Sequence, residues 1–213
     1  MIFSAEEQQS FYRLLEARRD VRQDFLPKEI PPDVLQRILQ AAHHAPSVGF
    51  MQPWNFVIIR SEEKKERVKE AFHKARSKEA EIYEGEKREL YDSLKLEGIL
   101  EAPINICVTC DRTRDGQTGL GRSQQTEMDL YSTVCAVQNM WLAARVEHIG
   151  MGWVSIVDKA EVREILQIPD HIEIVAYLCL GYVKEFQVQP DLESKGWAKR
   201  LDLDTLVFEE TWG

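Results

Sequence analysis

Apolar and polar positions alternate along this chain in two rhythms, and the changes between them mark out its elements. Ser4 with Glu7 forms a capping-box pattern, and Phe11, Leu14 and Leu15 recur at helical spacing. A first helix therefore runs to the stretch Arg18-Arg19-Asp20-Val21-Arg22. Pro31-Pro32-Asp33 opens a second helix with a stripe of Leu35, Ile38, Leu39 and Ala42, which stops before Pro46. After a Pro-bracketed loop at 45–53, residues 54–60 read as a strand. Residues 103–111 form a second, buried strand, and 112–125 a polar loop containing glycine. Residues 128–150 are apolar on most sides and close on Gly150, which predicts a helix capped by that glycine. A helix with so little polar face lies in a core or against a partner subunit. Residues 152–157 are a short strand, Asp158 and Glu161 begin a helix through Leu166, and 173–183 are a continuous apolar strand of the kind buried on both faces.

Two stretches break the rhythm. Residues 61–98 are dense in Glu, Lys and Arg with sparse apolar positions, which predicts a solvated helical pair standing off the main body as a lid. From Lys184 the tail carries Trp197, Phe208 and Trp212 without internal periodicity. Such a tail needs a surface to lie on, and a second subunit supplies one. With no repeat and no evident linker, the order of elements predicts one α+β domain over 1–213.

Composition narrows the partners. The formal net charge is −9, so the chain lacks the basic field that nucleic-acid binding requires. The start lacks a signal-peptide pattern and no apolar run approaches the ~20 residues of a membrane helix, which predicts a cytoplasmic protein. Cys107, Cys110, Cys135 and Cys179 sit in apolar surroundings and read as buried thiols. Cys107 and Cys110 lie three apart on a strand and so point to opposite faces.

The familiar chemical motifs are absent. No GxGxxG follows a strand, and Gly-Leu-Gly-Arg at 119–122 lacks the third glycine. There is no P-loop and no GxSxG. His43 and His44 are adjacent on a helix and splay about 100° apart, a poor geometry for holding a metal together. Three separated segments remain: the Arg-Arg-Asp-Val-Arg cluster with its single acid, the loop with Ser47, Gly49 and Gln52, and the strand entry with Gly152 and Ser155. Each alone reads as ordinary structure: dipole compensation, a turn, a strand entry.

Together they resemble the nitroreductase-like FMN proteins. The resemblance covers nearly the whole chain, on RRDVR, PSVGFMQPWNF, SLKLEG, ICVTCDRTR, YSTVCAVQN, GWVSI and IPDHIEIVAYLCLGYV. Within that family it is closest to the flavin-fragmenting branch, the 5,6-dimethylbenzimidazole synthases. Two departures from ordinary members support the narrower choice. Asp20 replaces the serine usual in the arginine motif, and Phe50 replaces the asparagine usual two residues before the glutamine.

The resemblance implies a mostly antiparallel or mixed sheet flanked by helices, and an intertwined homodimer with flavin at the interface. It implies that reduced FMN is substrate and O2 co-substrate. The products are 5,6-dimethylbenzimidazole, the lower ligand of cobalamin, and erythrose 4-phosphate. Arg18 and Arg22 are the expected phosphate ligands, joined by Arg200, with Arg19 against the flavin or ribityl chain. Ser47, the Gly49 amide and Gln52 are expected at the ribityl or pyrimidine edge, while Met51 and Trp54 pack beneath the loop. Gly152 lets backbone approach the ring, and Ser155 lies near its reactive edge. Asp20 is the expected base or proton relay, surrounded by Arg18, Arg19 and Arg22. Two other readings stay open. One is a conventional NAD(P)H-dependent nitro- or flavin reductase, the other a non-catalytic FMN-binding protein. The reductant also stays open, whether NAD(P)H acting indirectly or a separate flavin reductase.

Overall fold

A computed structural model describes residues 2–114 and 120–212. The elements follow in the order α1 (Ala5–Ala17), α2 (Pro32–His43), β1 (Trp54–Ile59), α3 (Glu62–Ala80), α4 (Gly85–Ser93) and β2 (Ile104–Asp111). Then come α5 (Met128–Val146), β3 (Ile149–Val154), α6 (Lys159–Leu166), β4 (Ile172–Tyr182) and the single turn α7 (Asp191–Ser194). The four strands form one sheet in the order β1-β2-β4-β3, each neighbour antiparallel.

Period-two alternation divides the apolar strands between two cores. Ile106, Val108, Ala176, Leu178 and Leu180 pack with α2 and α5 on one face. Cys107, Tyr177 and Cys179 pack with Val68 and Phe72 of α3 and Val162 and Ile165 of α6 on the other. This is why residues 173–183 carry no polar alternation. It also separates Cys107, in the second of these cores, from Cys110 three residues further along the strand. All four cysteines are free; Cys135, expected to be buried, is instead exposed on α5.

Three expectations need correction. α5 does not end on Gly150. His148 takes the left-handed conformation (φ 58°), and Gly150 lies within β3 opposite Gly181. A Cβ at Gly150 would come within 2.7 Å of Val183 and 3.0 Å of Val21, so packing rather than capping requires the glycine there. β3 accordingly begins three residues before the predicted strand start at 152.

The segment 61–98 is helical, but α3 is not solvated. Val68, Ala71 and Phe72 are fully buried, and the Lys65 ammonium, itself buried, donates to the Ala102 carbonyl at 3.1 Å. Long charged stems covered the apolar stripe in the sequence without filling it. α4 is the more exposed of the pair, burying chiefly Tyr91.

The stripe of α1 is correctly spaced, yet none of its residues is buried: Phe11 is 51% exposed and Tyr12 63%. The capping box at its start forms as expected, with Ser4 N–H donating to Glu7 at 2.7 Å. Residues 115–119, part of the polar loop and including the first glycine of Gly-Leu-Gly-Arg, lie outside the described residues. The flanks of that loop are tied down by buried Asp129, which accepts from Arg112 Nε at 3.0 Å and Arg122 Nη2 at 2.8 Å. No described helix is long and apolar enough to cross a membrane.

Candidate functional site

The arginine cluster does not sit on a helix. α1 stops at Ala17, Arg18 is already extended (φ −68°, ψ 133°), and no basic residue lies in the last turn, so helix-dipole compensation does not explain these cations. The chain instead crosses the free edge of β3. Asp20 forms a parallel bridge with Met151, and Val21 N–H donates to the Met151 carbonyl at 3.0 Å. Extended backbone sends Arg18, Asp20 and Arg22 to the same side.

Gly152 is what admits this crossing. A Cβ there would overlap the Val21 carbonyl oxygen. Sequence reasoning reserved the space at Gly152 for a flavin ring; the structure gives it to the arginine segment. On the far side of that segment, Phe25 lies against Gly98 and Gly181, where a Cβ would again collide. Three glycines therefore set the depth at which the segment lies.

Asp20 is held at both oxygens. Oδ1 accepts from the Trp153 backbone N–H at 3.0 Å, and Oδ2 pairs with Arg22 Nη2 at 2.5 Å. Arg18, Arg19, Asp20 and Arg22 line one cleft together with Pro190, Asp191, Leu192 and Arg200 from the tail. The late cation is thus brought to the early cluster across almost the whole chain.

The guanidinium groups are not used equally. Arg19 Nη1 donates to the carbonyls of Glu16 (2.5 Å) and Arg18 (2.7 Å), and Nη2 to that of Val188. It ties the tail to the end of α1. Arg22 has only Asp20; its Nε and Nη1 are buried without a partner, as is Arg19 Nε. Burial pushes the Arg18 pKa below the ordinary arginine value, with further lowering from the charges of Arg19 and Arg200 and opposition from Asp20. Arg18 also stacks over Trp141, 4.8 Å from the ring centroid. Four arginines outnumber the two acids of the cleft, Asp20 and Asp191, and Asp191 is already paired with Lys195 at 3.0 Å. With unsatisfied buried donors beside them, they are the kind of group that suits an anion with several acceptor oxygens.

The loop residues gather elsewhere. Ser47 Oγ accepts from Gln52 N–H at 3.1 Å, which folds the loop on itself. Gly49, Phe50 and Gln52 all have positive φ (61°, 57° and 48°). A Cβ at Gly49 would lie 2.8 Å from the Leu120 carbonyl oxygen. Met51 and Trp54 are buried beneath, and the Trp54 indole donates to His43 at 3.2 Å. Gln52 opens into a shallow cavity with His43, Phe56 and Arg114. Arg114, not anticipated from sequence, braces the loop by donating to the Gln52 carbonyl at 2.6 Å and Asn55 Oδ1 at 2.5 Å. This loop precedes β1, whereas the cleft lies along β3, the opposite edge. Three strand spacings, roughly 14 Å, separate those edges.

Ser155 falls between these extremes. It is exposed just past the end of β3 and borders an apolar cavity with Trp153, Val154, Ile174 and Tyr177. It lies two residues beyond the amide that holds Asp20, but it does not line the arginine cleft. One chain thus brings together Arg18, Arg19, Asp20, Arg22 and Arg200, places Gly152 behind them and Ser155 nearby, and leaves Ser47, Gly49 and Gln52 apart. Trp141 and the Trp153 amide are site residues that sequence reasoning missed. Their only sequence signal was apolar, because they act through an aromatic face and a backbone N–H.

Residues 15–182 match the nitroreductase family. The chain is 38% identical over 187 residues to a 5,6-dimethylbenzimidazole synthase of Rhodospirillum rubrum, covering 88% of each chain. It is 35% identical over 201 residues to one of Rhodobacter capsulatus, covering 94% of this chain and 97% of that one. Among solved structures, iodotyrosine deiodinase bound to FMN and 3-iodo-L-tyrosine superposes with a TM-score of 0.74 at 22% identity, over 94% of this chain and 99% of that one. At that identity the likeness concerns the fold alone. The chain belongs to the nitroreductase family of oxidoreductase-type enzymes.

Proposed function

We propose that this protein is a 5,6-dimethylbenzimidazole synthase that consumes reduced FMN and O2, releasing 5,6-dimethylbenzimidazole, erythrose 4-phosphate and the remainder of the flavin's pyrimidine ring as a third fragment. The observation that carries the reading is Asp20, clamped between Arg22 and the Trp153 amide at the floor of a four-arginine cleft. The relatives named as such synthases support it.

FMN fits the cleft by the chemistry of its donors. Its phosphate has the acceptor oxygens that the buried Nε and Nη1 of Arg22 lack, and Arg18 and Arg200 add charge from the walls. When bound, the reduced flavin supplies two electrons to oxygen and is itself the carbon skeleton that is broken. Breaking it requires protons to leave carbon and reach leaving groups. Asp20 is the group in this chain placed to accept and return them, with its second oxygen anchored so that its orientation does not drift. Ser155, exposed beyond the same strand, donates or accepts a hydrogen bond at the reacting edge. The apolar wall beside it keeps water from that edge.

The site is completed by a second copy of the chain. The Ser47–Gln52 half lies on the opposite sheet edge from the arginine half, and α1 and α5 leave Phe11, Tyr12, Tyr131 and Val134 exposed. A two-fold dimer covering those faces brings one chain's loop to its partner's cleft. The deciding experiment is one mixture: purified protein, chemically reduced FMN, then air. 5,6-Dimethylbenzimidazole on chromatography is expected. Oxidised FMN and peroxide alone overturn the reading in favour of a reductase.

A further inference from the structure

α4 contributes little to either core, and the tail has no strand to join, yet the two meet through one side chain. The Trp197 ring lies 5.3 Å from Tyr83 at 83° and 6.2 Å from Tyr91 at 53°, between centroids. Tyr83 and Tyr91 themselves pack 4.9 Å apart. Lys87 of α4 closes the cluster, its Nζ 3.6 Å from the Trp197 ring centroid. The platform is firm, because Arg76 of α3 donates to the carbonyls of Asp92 and Leu94 at 3.0 Å and so pins the end of α4. On the tail side, Gly196 takes φ 76°, Trp197 N–H donates to the Leu192 carbonyl at 2.8 Å, and Arg200 N–H to Glu193 at 3.2 Å. The anchored turn therefore holds both Leu192 and Arg200, which line the arginine cleft.

We propose that Trp197, seated on Tyr83, Tyr91 and Lys87 of the α4 region, is a positioning residue that holds Arg200 over the phosphate end of the cleft and so makes the enzyme select phosphorylated flavin. The inference rests on the reading of that cleft as a phosphate site. Arg200 is exposed and three residues beyond the anchor. Without Trp197, ordering of the tail would be charged against the phosphate contact itself, and affinity would fall by that cost. The anchor consists of ring contacts and one cation–π contact, so it brings no carboxylate that would compete with the anion for Arg200.

The test measures binding of FMN and of riboflavin to the full chain, by quenching of flavin fluorescence, in Trp197→Ala, Trp197→Phe, Arg200→Ala, the Trp197→Ala/Arg200→Ala double variant and Arg22→Ala. Loss of one charge-assisted contact corresponds to an affinity drop of roughly tenfold or more. Trp197→Ala and Arg200→Ala should each show it for FMN and leave riboflavin unchanged. Trp197→Phe should bind as the parent does, and the double variant should be no weaker than Arg200→Ala alone. The proposal is overturned if Trp197→Ala binds FMN normally while Arg22→Ala does not, if riboflavin binding falls in step, or if the double variant loses the product of the two effects. An Arg22→Ala protein that binds FMN undiminished overturns the phosphate assignment first, and this inference with it.

Discussion

Asp20 accepts a hydrogen bond from the Trp153 main chain, 133 residues later, at 3.0 Å. The carboxyl group is thus fixed to the sheet edge by one oxygen and to Arg22 by the other. Asp20→Asn keeps an oxygen for the Trp153 amide and removes the proton acceptor. It is expected to bind reduced FMN within a few-fold of the parent and to lose product by about a hundredfold or more. Quantifying 5,6-dimethylbenzimidazole after aeration decides the point; a parental yield removes Asp20 from the mechanism.

Gly152→Ala tests what that glycine is for. The added methyl meets the Val21 carbonyl, which is backbone and cannot rotate away. Overpacking of this kind costs about 1–3 kcal/mol. Thermal unfolding should show it with no flavin present, and FMN affinity should fall as the arginine segment lifts from β3. Loss of FMN binding at unchanged stability would return the space to the flavin.

Phe72→Ala separates a core helix from a mobile cover. The Phe72 ring is fully buried between the sheet and α6. Its removal is expected to cost about 3–5 kcal/mol in denaturant unfolding. A loss under 1 kcal/mol would mean that α3 is not part of the fold's foundation.

Protease protection localises any closure. With α3 built into the core and the end of α4 pinned to it by Arg76, closure over the cleft among the described residues falls to the tail that Trp197 docks on α4. Adding reduced FMN without oxygen should slow cleavage within 188–212 and leave α3 unchanged. Cleavage at an unaltered rate would argue against a lid.

Acid stability should depend on Glu97. Burial raises its pKa, but the Ile99 N–H at 2.7 Å and the ammonium groups of Lys95 and Lys69 outweigh this and set it below the usual glutamate value of 4.5. A depressed folded pKa means stability that is complete above the unfolded value and is lost as pH falls through the folded one. The stability gap between the parent and Glu97→Gln should therefore be constant near neutral pH and shrink below pH 4.5. A gap that widens on acidification would reverse the assignment.

Much of the fold was legible because it is local. Helical spacing located α2, start signals at Asp158 and Glu161 located α6, and unbroken apolar runs located β2 and β4, since a strand buried on both faces has no reason to carry polar residues. Where two signals coincide, sequence misleads. Gly150 resembles a cap because both a cap and a crowded strand need a residue without Cβ. α3 resembles a solvated helix because its lysine and glutamate stems hide Val68 and Phe72.

The types of group at the site were determined by sequence alone: arginines for an anion, one acid among them, small residues where backbone must pass. Their assembly was decided by the tertiary structure. Arg200 reaches Arg18 because the tail leaving β4 runs beside the arginine segment, with Val183 bridged to Phe25 and the Val188 carbonyl bonded by Arg19, and Asp20 finds its orientation in an amide that any residue at position 153 except proline could have offered. Backbone donors and chain crossings carry no side-chain signature, so they become visible only once the sheet edge has been built.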